Sequence, residues 1–116
     1  MKLFKTITVS CFLLLILYAD LMKAEEGIPE FQVIVADMYR EGAGTVANIQ
    51  KAISWYEKAS NNGNSEATYK LGVAYFRGDG VETDVDKGIK YVELAAKDGY
   101  KMAIKTLPTM RALKQH

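Results

Sequence analysis

With 116 residues, 49% of them hydrophobic and 25% charged, the chain has the balance of one folded domain, which excludes an extended disordered protein. Its 15 basic and 14 acidic side chains leave a formal net charge of +1, which offers no basic footprint for nucleic acid.

The first predicted element is a targeting segment. Met1 to Ala24 reads as a secretory signal, with Lys2 and Lys5 ahead of an apolar stretch from about Ile7 to Ala19 and a more polar exit. The stretch is shorter than the roughly 18 apolar residues of a spanning helix, so no stable membrane span is expected once the signal is cut. Ala24 is the expected last residue of the signal, and Ala19 is a second possibility. Cys11 lies at the front of the apolar stretch, which argues against a lipid-modified cysteine at the new N-terminus. A cut after Ala24 leaves about 90 residues with no cysteine and a net charge of −1, so neither disulfides nor thiolate chemistry is available and packing alone holds the domain together. The expected location is the periplasm or the cell exterior, and the expected domain is 25–116.

The next elements are helices in pairs. Pro29 suits the first turn of an opening helix that Gly42 and Gly44 stop. Asn48 is placed to cap a second helix, whose Ile53, Tyr56 and Ala59 face inward until Gly63. Ser65 then reads as the N-cap of a third helix running to about Arg77, with Ala67, Leu71, Ala74 and Tyr75 on one buried stripe. Gly78 and Gly80 end it. Asp84 caps a fourth helix in which Ile89, Val92, Ala95 and Ala96 share a face, and Gly99 sits where a left-handed C-terminal residue is wanted.

The four helices are two copies of one unit. At an offset of 36 positions Tyr39 falls on Tyr75, Gly42 on Gly78, Gly44 on Gly80, Lys51 on Lys87, Ile53 on Ile89, Ala59 on Ala95 and Gly63 on Gly99. Ala36 and Gly72 on the first helices, and Ala52 and Gly88 on the second, stand where a bulky side chain would hold two helix backbones apart. Glycine in a helix costs about 1 kcal/mol relative to alanine, so close packing is the expected compensation.

The string from Ala67 through Leu71-Gly72, Tyr75, Gly78, Gly80-Val81, Asp84 and Lys87 closely resembles the Sel-1-like repeat, a relative of the tetratricopeptide repeat. The likeness continues through Ile89, Tyr91, Ala95, Ala96 and Gly99. The first copy departs from the pattern at Phe31 and Ala36 but keeps the two-glycine turn and Trp55. The resemblance implies an all-α, right-handed α-α superhelix with repeat one at about 31–66, repeat two at about 67–102 and a C-terminal cap over 103–116. A third copy opens at Ala103 but fails at Pro108, where a helix from about Lys101 should kink or stop. Arg111, Ala112 and Leu113 would resume as a short capping helix. Two repeats are few for a solenoid, so a homodimer or a bound partner is expected to contribute to stability.

No catalytic constellation stands out. The only histidine, His116, is the last residue, where exposure is expected and not general-base work. Asp79, Glu82, Asp84 and Asp86 lack the spacing of a calcium loop and are better read as turn, cap and solvated residues. Neither a cofactor nor a metal is expected. Tyr39, Trp55, Tyr75 and Tyr91 match positions that the family buries, whereas Phe76 lies off the stripe where the first copy has Arg40.

By the same resemblance the first helix of each repeat lines a concave face, and its variable positions form a groove for a protein or peptide. These are Val33, Asp37 and Arg40, then Tyr69, Val73 and Phe76, with Met102 and Lys105 from the third copy. Each of them is otherwise a solvated residue or one packed against the cap. The implied activity is non-enzymatic: an adaptor in the cell envelope, or a neutraliser of a toxic effector. A cell-wall hydrolase is the enzymatic alternative, and it lacks a paired nucleophile and base.

Overall fold

The computed structural model describes residues 2–115, with side chains from Leu13 onwards. The expectations for His116 and for the side chains of Lys2, Lys5 and Cys11 lie outside the described residues. Six helices follow one another: α1 (Lys2–Glu25), α2 (Pro29–Glu41), α3 (Ile49–Asn61), α4 (Ser65–Arg77), α5 (Val85–Lys97) and α6 (Lys101–Lys114). No strand occurs among the described residues. The architecture is an all-α helical-repeat superhelix in which each helix packs on its neighbours in the chain, most intimately within the pairs α2–α3 and α4–α5. None of the described helices is long and apolar enough to cross a membrane.

Local chemistry repeats along with the sequence. Asn48 Oδ1 accepts the Lys51 amide at 3.1 Å, and 36 positions on Asp84 Oδ1 accepts the Lys87 amide at 3.0 Å. The residue that caps each second helix also donates its own amide to a tyrosine carbonyl, Asn48 to Tyr39 at 2.7 Å and Asp84 to Tyr75 at 2.9 Å. The Lys51 and Lys87 ammonium groups lie over the same two rings, 5.4 and 4.3 Å from the centroids of Tyr39 and Tyr75. Asn48→Ala and Asp84→Ala should each lose about 1 kcal/mol of unfolding free energy in denaturant titrations, because each leaves an amide of the first helical turn without its acceptor.

Two local expectations are corrected. Asn64, in extended backbone, and not Ser65, caps α4, accepting the Ala67 amide at 2.9 Å. Ser65 is already helical and turns its hydroxyl to Asp98 at 3.4 Å. The chain also neither stops nor restarts at Pro108, since α6 runs through it as one helix to Lys114. Leu107 and Met110, 9% and 4% exposed, hold both halves of α6 against α5, and Arg111 pairs with Glu93 at 3.0 Å. Pro108 and Ile104 are both exposed, so the carbonyl deprived of its i+4 donor lies on the water side of the helix. Packing thus outweighs a local penalty. Pro108→Ala should raise the unfolding free energy by about 1–2 kcal/mol, the helical gain being partly offset by a freer unfolded chain; thermal denaturation would measure it.

Two hydrophobic clusters form the core. The first joins α2, α3 and α4 through Ala36, Ala52, Ile53, Tyr56, Ala59 and Leu71. The second joins α5 and α6 through Ile89, Val92, Ala95, Ala103, Leu107 and Met110, with Tyr69 and Phe76 of α4 packed against it. At the centre of the second repeat two glycines meet. A Cβ on Gly72 would stand 2.8 Å from the Gly88 carbonyl, and a Cβ on Gly88 would stand 2.7 Å from the Gly72 carbonyl and from the Phe76 amide nitrogen. The close approach inferred from the sequence is therefore backbone against backbone. The first repeat has buried Ala36 and Ala52 at the corresponding positions.

Candidate interaction groove

The crossing of α2, α3 and α4 leaves a groove of about 650 Å³ at the junction of the two repeats. Arg40 contributes from α2, Ile49, Ile53 and Tyr56 from α3, and Tyr69, Lys70, Val73 and Arg77 from α4; the Gly78–Gly80 turn closes one end. Apolar side chains of α3 face a wall of mixed charge. Such a surface suits a peptide, with aliphatic carbons to desolvate and fixed polar groups to orient the backbone.

One polar network fixes the wall. The Asp37 carboxylate accepts the Lys70 ammonium at 2.8 and 3.0 Å and the Tyr56 hydroxyl, and it lies 3.8 Å from Arg40. Lys70 also pairs with Glu66 at 3.1 Å and stands 5.5 Å from the Tyr56 ring centroid. Helices α2, α3 and α4 are thereby tied at one point. Burial pulls the Lys70 ammonium down, but its hydrogen bonds to Asp37 and Glu66 outweigh that and hold it above the ordinary lysine range. Burial, then the bond to Asp37, pushes the Tyr56 hydroxyl well above the ordinary phenol range.

Of the residues expected from the sequence, the structure brings Arg40, Tyr69 and Val73 into the groove and places Asp37 in the network behind it. Val33 is corrected: it is 5% exposed and belongs to the first core cluster, because α2 turns it towards α3 and α4. Phe76 is half-buried against the second cluster and does not line the groove, since the close α4–α5 approach at Gly88 draws that part of α4 onto α5. Met102 and Lys105 are exposed on α6, away from the lining. The aromatic expectation is refined: Tyr39, Trp55, Tyr75 and Tyr91 are partly buried, Tyr75 and Tyr91 stacking at 5.8 Å.

Sequence reasoning passed over Ile49, Tyr56, Lys70 and Arg77. It looked for the groove at the variable positions of first helices, while α3 also supplies Ile49, Ile53 and Tyr56. No local signal joined Asp37 to Tyr56 and Lys70, which lie 19 and 33 positions away in the chain. Among the described residues, no group of three or more His, Cys, Asp or Glu side chains is placed to hold a metal ion.

Comparison with known proteins agrees with this architecture. The Sel1 repeat model matches residues 29–64 and 65–100, two residues ahead of the boundaries read from the sequence. A Sel1 repeat protein from Oxalobacter formigenes superposes with a TM-score of 0.75 at 36% identity, over 78% of this chain and 68% of that one. The protein c5321, a protective antigen of uropathogenic Escherichia coli with an SLR fold, superposes with a TM-score of 0.63 at 34% identity, over 66% of this chain and 16% of that one. Among curated relatives, a putative sel1-like repeat-containing protein of Acanthamoeba polyphaga mimivirus, L21, is 40% identical over 63 residues, 54% of this chain. DAP3-binding cell death enhancer 1 of Rattus norvegicus is 26% identical over 87 residues, 75% of this chain. This chain spans only 11% and 17% of the length of those two relatives. With both of its repeat units matched by the family model, the chain belongs to the Sel1 repeat family.

Proposed function

We propose that this protein is exported by its N-terminal segment and acts outside the cytoplasm as a non-enzymatic adaptor, holding a protein or peptide partner in the groove between α2, α3 and α4. Sel1 repeat proteins typically mediate protein–protein interaction, and their fold is an interaction scaffold. The observation that carries the reading is the groove itself, whose apolar α3 wall faces Arg40, Lys70 and Arg77 across the repeat junction. Val73 and Arg77 are the residues to vary, because Tyr69 also packs on Tyr100, with rings 5.3 Å apart, and Arg40 serves the Asp37 network.

Affinity capture from the native cell envelope, read by mass spectrometry, tests the proposal. A protein recovered by the unaltered chain should bind at least about tenfold more weakly to Val73→Lys and Arg77→Glu variants that keep their helical circular dichroism. Undiminished binding by both variants would remove the groove from the reading. Partner identity separates an adaptor from an effector neutraliser, and substrate turnover abolished by one side-chain change would replace both with an enzyme.

A further inference from the structure

Helix α1 meets α2 in the way that α3 meets α4. The turns joining them repeat every 36 residues: Gly27, Gly63 and Gly99 have φ of 91, 90 and 89°. Their amides donate to the carbonyls of Ala24, Ser60 and Ala96, each at 3.0 Å. The next amides, of Ile28, Asn64 and Tyr100, donate to Lys23, Ala59 and Ala95 at 3.2, 2.9 and 3.0 Å. Across the helix pair, Gln32 Nε2 reaches the Ala24 carbonyl at 3.1 Å, and 36 positions on the Thr68 hydroxyl meets that of Ser60 at 2.6 Å. A Cβ on Gly44 would stand 2.8 Å from Leu17, so α1 also packs against the turn that follows α2. Even the local sequence keeps step, Ala24-Glu25-Glu26-Gly27 against Ala96-Lys97-Asp98-Gly99.

Ala24 is fully buried, and Gln32, 3% exposed, spans three helices by donating to Ala24 and accepting from Asn62 Nδ2 at 3.0 Å. In a chain that began at Glu25, the amides of Glu26, Gly27 and Ile28 would lose the carbonyls of Met22, Ala24 and Lys23, and the buried Gln32 amide would lose its acceptor. Each of these bonds would be exchanged for one to water at a modest net cost, and the packing of buried Ala24 would be lost with them.

We infer that Met22–Gly27 is the closing turn of an N-terminal half-repeat and belongs to the folded domain, so that any processing of the N-terminal segment falls N-terminal of Met22 and not after Ala24. A cut after Ala19 satisfies this; so does an uncut chain. The half-repeat covers the edge of α2 that a preceding repeat would otherwise occupy, as α6 covers the opposite end. The inference stands whether or not the protein is exported.

The test uses protein purified from cells that express the full chain with its own N-terminus. Intact mass and N-terminal sequencing should place the first residue at Met22 or earlier; a folded protein starting at Lys23 or later overturns the inference. Hydrogen exchange on the same material should find the Gly27 and Ile28 amides at least about tenfold slower than the amide of Val46, which lies in a loop and is 86% exposed. Exchange at Gly27 and Ile28 as fast as at Val46 also overturns it.

Discussion

Replacement of Gly88 by leucine should lower the unfolding free energy by about 3 kcal/mol or more, measured as a shift in the denaturant midpoint at constant slope. The neighbours of the added carbon would be the Gly72 carbonyl and the Phe76 amide and Cα, at 2.7, 2.7 and 3.0 Å, all of them backbone. Helical backbone cannot turn aside as a side chain can, least of all at Gly72 in the interior of α4, so the two helices must separate. Separation would open contacts on both sides, because Ile89 and Val92 lie one and four residues further along α5 and are 7% and 0% exposed. Helix propensity runs the other way, favouring a non-glycine residue by up to about 1 kcal/mol, so a neutral result would require that the crossing relax freely. Gly72→Leu should behave alike, its added carbon meeting Val92 Cγ2 at 2.6 Å as well as the Gly88 carbonyl. Ala52→Gly, at the corresponding place in the first repeat, should cost only about 1 kcal/mol, since it lowers propensity without forcing helices apart.

The second large effect is expected at Asp37. Asp37→Ala should cost about 2–4 kcal/mol, less than the loss of one partner from a fully buried pair because Asp37 and Lys70 keep 30% and 19% side-chain exposure. The substitution leaves the Lys70 ammonium with Glu66 alone and the Tyr56 hydroxyl, on a 2% exposed residue, without its acceptor. A cycle with Lys70→Met separates the pair from its surroundings: if the double variant is no less stable than Asp37→Ala alone, the coupling is real, whereas strict additivity would reduce the network to three independent contacts.

The same network sets a pH dependence. Lys70 and Tyr56 both bind their protons more tightly in the folded state than in the unfolded chain. Their contribution is therefore complete below the ordinary lysine and tyrosine values, near pH 10, and is lost as pH rises further. Stability should decline above about pH 10 more steeply in the unaltered protein than in Asp37→Ala, whose groups titrate closer to their ordinary values. Ultraviolet titration should show the Tyr56 phenol resisting ionisation until the protein unfolds; equal alkaline slopes for the two proteins would contradict the coupling.

How much of this was legible beforehand follows the range of each interaction. The paired helices, the caps at Asn48 and Asp84 and the left-handed glycines were readable because each rests on hydrogen bonds spanning three or four residues. The small residues at 72 and 88 announced a close crossing, since glycine in mid-helix has an energetic cost that only tight packing offsets. Pro108 does not end α6 for the complementary reason: the local rule is a real penalty, but Leu107 and Met110 supply tertiary contacts that the rule does not weigh.

The groove was only half legible. Arg40, Tyr69 and Val73 were reachable by asking which first-helix positions the family leaves variable. Val33 and Phe76 failed that question because which side of a helix faces the groove depends on the rotation of one helix about its neighbour. The α3 wall was missed because only first helices were expected to line the groove.

By itself, the sequence determined the repeat, its period of 36, the paired helices and the ends marked by Asn48, Asp84 and the glycine turns, all of them consequences of backbone hydrogen bonding and glycine stereochemistry acting over a few residues. Only the tertiary structure decided that Lys70 lies within 2.8 Å of a carboxylate 33 positions earlier, that Tyr56 joins them, and that α1 falls into step with the repeats. Those placements depend on how closely two helices cross, and in the second repeat that distance is set where the Gly72 and Gly88 backbones touch.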